Sequence, residues 1–192
     1  MKPDIKILKL LVEKKEEKLT IKKIAETLKI NYRTAYDAIT LLEKGNLMQL
    51  TRAGNAKICS LNPQYHSKIV ETEEIRKQEL LKDKNIAVMY DVLMKLHSKF
   101  YILLVFGSYV KNKQTKHSDI DLMFIVPDQA EEHMEKEMQS LVNTLPLNIH
   151  LNTFKESDFK TMKNSKESTV GSEAIKSNII LHGVEAYYRM IA

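Results

Sequence analysis

Two short apolar runs, "YILLVF" at residues 101–106 and "IDLMFIV" at residues 120–126, constrain the fold more than any other part of the chain. Each is too short for a buried helix and is rich in β-branched and aromatic residues, so each predicts a buried strand. Gly107-Ser108 ends the first run sharply, and a polar, basic stretch leads to Asp119 and Asp121 in and beside the second. Strand side chains alternate, which puts Asp119 and Asp121 on one face and Ile120 and Leu122 on the other. Two carboxylates about 7 Å apart along a strand repel one another in a dry core. A divalent cation removes that repulsion, and Mg²⁺ takes hard oxygen ligands while leaving positions for substrate phosphates. A glycine lets the backbone approach a phosphate, and the hydroxyl and amides that follow can donate to its oxygens.

The 192 residues allow one large domain or two small ones, and an apolar share of 43% with 29% charged residues is that of a globular chain. Cys59 is the sole cysteine, which excludes an intramolecular disulfide and a cysteine-cluster metal site. The opening "MKPDIKILKLLVEKKEE" becomes charged too early for a signal peptide, and no apolar run reaches the length of a membrane span. A soluble, cytoplasmic protein with no membrane association is expected. The net charge of +5 is uneven: residues 1–62 carry +6 and residues 63–192 carry −1. A basic N-terminal third suggests two domains, the first facing a polyanion.

Within that third, Ile5, Leu8 and Val12, with Ile7 and Leu11, predict a helix after Pro3 reaching about Glu17. Thr20 is placed to cap a second helix carrying Ile21, Ile24, Ala25 and Leu28. "LKIN" breaks the chain, and Asn31 caps a third helix, 31–44, with Ala35, Ala38, Ile39 and Leu42 on one face. Gly45 is expected to end it in a left-handed conformation. "LMQLTR" and "AKICSL" around Ala53-Gly54-Asn55 predict a hairpin, with Cys59 half-buried. In order and length these elements resemble bacterial and archaeal winged-helix regulators over residues 1–62. That resemblance implies double-stranded DNA as a partner, with helix 31–44 in the major groove. Asn31, Tyr32, Arg33 and Thr34, with Tyr36 either among them or in the core, can then reach base edges or phosphates, and Arg52 and Lys57 flank the wing tip. The alternative is that this module packs on a protein partner or on the second domain.

Residues 63–84 are expected to form a linker, helical in part, that serves as a connector or a dimerisation stalk and leaves a homodimer open. The charge run from Thr72 to Asp83 is expected to be a solvated face. Met89, Val92, Leu93 and Leu96 predict a helix from about Asn85 to Ser98.

Gly107-Ser108, ten residues, then Asp119-Ile120-Asp121, with strands on both sides, resembles the signature of the polymerase-β-like nucleotidyltransferase superfamily, in its minimal branch. The resemblance covers about residues 85–192. It implies that Gly107 and Ser108 hold the triphosphate of an NTP and that Asp119 and Asp121 are catalytic and bind Mg²⁺ (or Mn²⁺). Lys111, Lys113 and Lys116 either add charge near the phosphates or form an exposed basic loop, and His117 is a loop residue or a nucleotide contact. Active members usually carry a third carboxylate on a neighbouring strand. The candidate strand, "PLNIHLN" at 146–152, presents Asn148, His150 and Asn152 on its polar face and has no carboxylate there. Glu156 and Asp158 are expected to start a helix. Met134, Met138 and Leu141 predict a covering helix, and "SEAIKSNIILHGVEAYYRM" a C-terminal helix interrupted at Gly183, with Tyr187 and Tyr188 in packing.

The expected fold is therefore α+β: a winged helix of three helices and a β-hairpin (1–62), the linker (63–84), and a small nucleotidyltransferase-like mixed sheet flanked by helices (85–192). The expected function is a transcriptional regulator that binds DNA, NTP and Mg²⁺. The alternative is an active Mg²⁺-dependent enzyme that transfers a nucleoside monophosphate, such as AMP, to a protein or small-molecule acceptor. The minimal branch includes antitoxins that adenylylate a partner toxin.

Overall fold

A computed structural model of the chain describes every residue except Glu16, residues 112–117 and residues 165–168, with the side chain of Asn164 also left aside. The chain divides into two compact units, Met1–Glu74 with Ile191–Ala192, and Ile75–Met190. Among the described residues no helix is long and apolar enough to cross a membrane.

The first unit begins with α1 (Pro3–Glu13), β1 (Leu19–Thr20), α2 (Ile21–Leu28) and α3 (Tyr32–Lys44), followed by β2 (Met48–Ala53) and β3 (Ala56–Leu61). Helix α1 stops short of the expected Glu17 because its apolar periodicity ends at Val12, and Lys14 leaves the helical conformation. Thr20 caps α2 by accepting from the Lys23 amide, and Asn31 caps α3 by accepting from the Arg33 amide. Gly45 is not left-handed; Asn46, at φ 57°, takes that conformation one residue later, as asparagine tolerates. Strands β2 and β3 pair through a two-residue loop, Gly54-Asn55. Strand β1 was not visible in the sequence. Its two residues pair with Cys59 and Ile58, so Cys59 is fully rather than half buried, and burial pushes its thiol up to about 11.

Helix α4 (Ser67–Leu80) takes in most of the charge run read as a solvated face, yet Thr72, Glu73 and Arg76 are nearly fully buried. The Arg76 guanidinium donates to the carbonyl of Asn178, which helps a cation tolerate burial.

The second unit continues with α5 (Lys84–Leu93), β4 (Ile102–Phe106), β5 (Ile120–Val126), α6 (Glu131–Val142), β6 (Ile149–Lys155), α7 (Glu156–Asn164), α8 (Val170–Lys176), β7 (Asn178–His182) and α9 (Val184–Ile191). The sheet order is β6-β5-β4-β7; β4 runs antiparallel to both β5 and β7, and β5 runs parallel to β6. Both opening runs are strands whose residues are buried on both faces, apart from Asp121, which is intermediate. Leu103, Val105, Leu122, Phe124 and Val126 face the core with Met89 and Leu93 of α5 and Met134 and Met138 of α6. Helices α7 and α8 lie against the other face, which carries Asp121.

Two strand assignments also differ from expectation. The third strand starts at Ile149 rather than Pro146, because the Asn148 carbonyl makes the first bond to the Ile120 amide and the ladder then runs forward to Lys155. The expected C-terminal helix is α8, β7 and α9: "NIILH" pairs along β4 as an edge strand. Gly183, at φ +82°, turns the chain into α9 where a Cβ would lie 2.5 Å from the Tyr101 carbonyl oxygen.

Candidate active site

The end of β4 and the start of β5 lie side by side, with Phe106 paired to Asp121. Gly107 follows directly, at φ +73°, and an added Cβ would lie 2.1 Å from Oδ2 of Asp121. The Gly-Ser turn and the acidic strand are thus in contact, and the bare Cα of Gly107 is what lets the carboxylate sit there. Asp119 is exposed, one residue before β5. The Asp121 side chain is only 29% exposed. Burial, with the Asp119 charge adding to it and His150 opposing it, pushes the Asp121 carboxyl above its ordinary value.

The parallel register sets His150 of β6 directly beside Asp121, with its Nδ1 3.8 Å from Oδ1 of Asp121. Asn152 turns its amide onto the Leu122 carbonyl at 3.3 Å, and the Asn148 carbonyl is engaged by Ile120. Of the three polar-face residues foreseen on this strand, His150 is therefore the one that reaches the acidic pair. Glu156 and Asp158 lie in the first turn of α7. Lys111 lies 3.8 Å from Glu173 of α8. Lys113, Lys116 and His117 lie outside the described residues.

Among the described residues no group of three or more His, Cys, Asp or Glu side chains could hold a metal ion by itself. The donors present suit a cation shared with a ligand. Mg²⁺ typically takes one or two carboxylates plus substrate phosphates rather than an all-protein cage, and Asp119 and Asp121 supply that number. The next strand offers imidazole where a further carboxylate would extend the set.

In the first unit, Tyr32 and Tyr36 stack at 6.5 Å on the outer face of α3, and both are exposed. Arg33 is 83% exposed and pairs with Asp37 at 3.1 Å, and Thr34 is exposed. Arg52 and Lys57 are cross-strand partners near the hairpin tip, both exposed. Thr20, Lys22, Tyr32, Tyr36, Asn55 and Lys57 border one shallow hollow. Asn31 contributes its side chain to the α3 cap.

Comparison with known proteins adds three findings. No curated protein matches the chain. A solved structure described as a toxin-antitoxin with AMP-PNP is 18% identical; the match covers 57% of this chain and 79% of that chain, with a TM-score of 0.34. The family model "Polymerase beta, Nucleotidyltransferase" matches residues 89–185, a span that holds the Gly-Ser turn, both aspartates and His150. With just over half of its residues in that match, the chain belongs to the polymerase β nucleotidyltransferase family.

Proposed function

We propose that the unit Ile75–Met190 binds an NTP with a divalent cation and transfers its nucleoside monophosphate to an acceptor hydroxyl on a protein or small molecule. The observation that carries this reading is the contact of Gly107 with Asp121, which joins the phosphate turn to the acidic strand. The Gly107-Ser108 turn offers a close backbone approach, a hydroxyl and amides to the triphosphate. Asp119 and Asp121 hold the cation, which when bound neutralises developing phosphate charge. In the transfer the acceptor oxygen bonds to the α-phosphorus, the bond to the bridging α–β oxygen breaks, and pyrophosphate leaves. The acceptor's proton passes to water at the open side, where Asp119 is exposed. Partial burial of Asp121 strengthens its electrostatic hold on a cation relative to a fully solvated carboxylate.

The test is incubation of the protein with α-labelled NTPs, Mg²⁺ or Mn²⁺ and cell lysate, beside an Asp119→Ala control. Label carried onto an acceptor by the unmutated protein alone is expected. Equal labelling by the control, or no labelling together with no Mg²⁺-dependent NTP binding, ends this reading.

A second reading concerns Met1–Glu74: that it is a winged helix that binds double-stranded DNA and makes the protein a regulator, as a homodimer on a two-half-site operator. The exposed Tyr32, Arg33, Arg52 and Lys57, all within residues 1–62 with their net charge of +6, support it. Duplex binding should weaken with salt, and Lys57→Ala should lower the salt slope by about one phosphate contact. Arg33→Ala should weaken binding further. Absence of binding to any duplex at low salt would eliminate it.

A further inference from the structure

We propose that the hollow between α3 and the β2–β3 hairpin holds an unpaired base, so that the unit Met1–Glu74 binds DNA carrying an unpaired stretch more tightly than continuous duplex. This rests on the DNA-binding reading proposed above. Helix α3 packs inward through Ala35, Ala38, Ile39 and Leu42, which leaves Tyr32 and Tyr36, one turn apart, on its outer face. The two side chains are 54% and 39% exposed, and their rings lie 6.5 Å apart and within 24° of parallel. Single exposed apolar side chains are ordinary, whereas two that adjoin beside a hollow point to a ligand. The hollow has a volume of about 470 Å³ and is bordered also by Lys22 of α2 and by Asn55 and Lys57 of the hairpin. Lys22 and Lys57 are both exposed and bring two positive charges to it.

Ring faces beside ammonium groups fit a nucleotide within a strand: the base stacks on a tyrosine and the flanking phosphates meet the lysines. Continuous duplex offers base edges in its grooves, while the base faces are covered by their neighbours. Freeing a face costs unpairing and unstacking, which an already unpaired base does not carry. Asn31, whose carboxamide matches an adenine edge, is held in the α3 cap, where it accepts from the Arg33 amide. The outer face of α3 thus offers ring faces in its place. Every base has such a face, so the preference is for unpaired structure rather than for one sequence.

The full chain is titrated by fluorescence anisotropy with a labelled duplex and with the same duplex carrying a central mismatched bubble, at one salt concentration. Tyr32→Ala, Tyr36→Ala, Tyr32→Phe and Tyr36→Phe are titrated in parallel. The expected bubble-to-duplex affinity ratio is about ten, the worth of one base–aromatic stack. It should fall by about threefold or more in at least one alanine variant and persist in both phenylalanine variants, which keep the ring. A 5-iodouracil in the bubble should photocrosslink to Tyr32 or Tyr36, as mass spectrometry of the digested complex would show. A ratio near one with duplex binding intact overturns the role of the hollow and leaves the DNA-binding reading standing. A preference that survives both alanine variants, or that the phenylalanine variants lose, does the same. Absence of binding to either DNA at low salt overturns that reading and this inference together.

Discussion

Replacing Gly107 with alanine tests the contact on which the site is built. The substitution has two separable effects. At φ +73° an L-residue is disfavoured by about 1–2 kcal/mol. The new Cβ also falls 2.1 Å from Asp121 Oδ2 and 3.0 Å from its Cγ, so the carboxylate must move or the strands must part. Overpacking of that kind typically costs about 1–3 kcal/mol. The total, about 2–5 kcal/mol, is a large share of the 5–15 kcal/mol that holds a typical domain together. Removing the carboxylate separates the two effects. In an Asp121→Ala background only the Asp121 Cβ remains, at 3.3 Å, and Gly107→Ala should then cost only the backbone part. The double-mutant cycle should therefore show a coupling of about 1–3 kcal/mol. Hydrogen exchange of the amides in 102–106 and 120–126 reads this within the second unit, so unfolding of the first unit does not enter. Additivity within about 0.5 kcal/mol would refute the contact between the turn and the acidic strand.

Further outcomes follow from the same geometry. Gly183→Ala should destabilise the second unit by about 3 kcal/mol or more, and no side-chain deletion should rescue it, because the obstacle at 2.5 Å is the Tyr101 carbonyl oxygen; a loss below about 1 kcal/mol by hydrogen exchange would contradict the close approach. Asp121→Asn should stabilise the fold at neutral pH while removing cation binding. The folded-state carboxyl lies above its ordinary 3.8, so the folded state holds its proton longer and stability falls as pH rises through that window. The advantage of asparagine should accordingly vanish below about pH 3.8, where the aspartate is protonated in both states; thermal melts at acid and neutral pH check the sign. Asn178→Ala should cost about 1–3 kcal/mol, since the Asn178 amide donates to the Ala174 carbonyl at 2.6 Å and to the Tyr187 hydroxyl at 2.7 Å in the core; a neutral urea midpoint would show that these bonds are replaced.

The mixed α+β class and the two buried strands of the site were legible because each rests on local pattern. "ILLVF" and "IDLMFIV" are apolar, branched and short, and strand alternation alone separates Asp121 from Ile120 and Leu122. The capping residues Thr20 and Asn31 were legible for the same reason: a cap is a contact between residues two or three apart. The C-terminal segment was not. "NIILH" has no periodicity of its own, and it becomes a strand because β4 offers it an open edge. Strand β1 exists only because Cys59 and Ile58 are there to pair with it. Glu73 and Arg76 read as solvated charges yet are buried, and Arg76 donates to the carbonyl of Asn178, a partner 102 residues away that no local pattern announces.

The sequence by itself singled out the candidate site residues: a glycine and a serine after one strand, two aspartates at the head of the next, and a polar face without a carboxylate on a third. Residue type and spacing are local properties, and periodicity transmits them directly. Tertiary structure decided which of these meet. Antiparallel pairing laid Gly107 against Asp121, and parallel pairing chose His150, rather than Asn148 or Asn152, as the neighbour of the acidic pair. The physical reason is register. A shift of one residue reverses every side chain across a sheet, and hydrogen bonds between strands distant in sequence set that register.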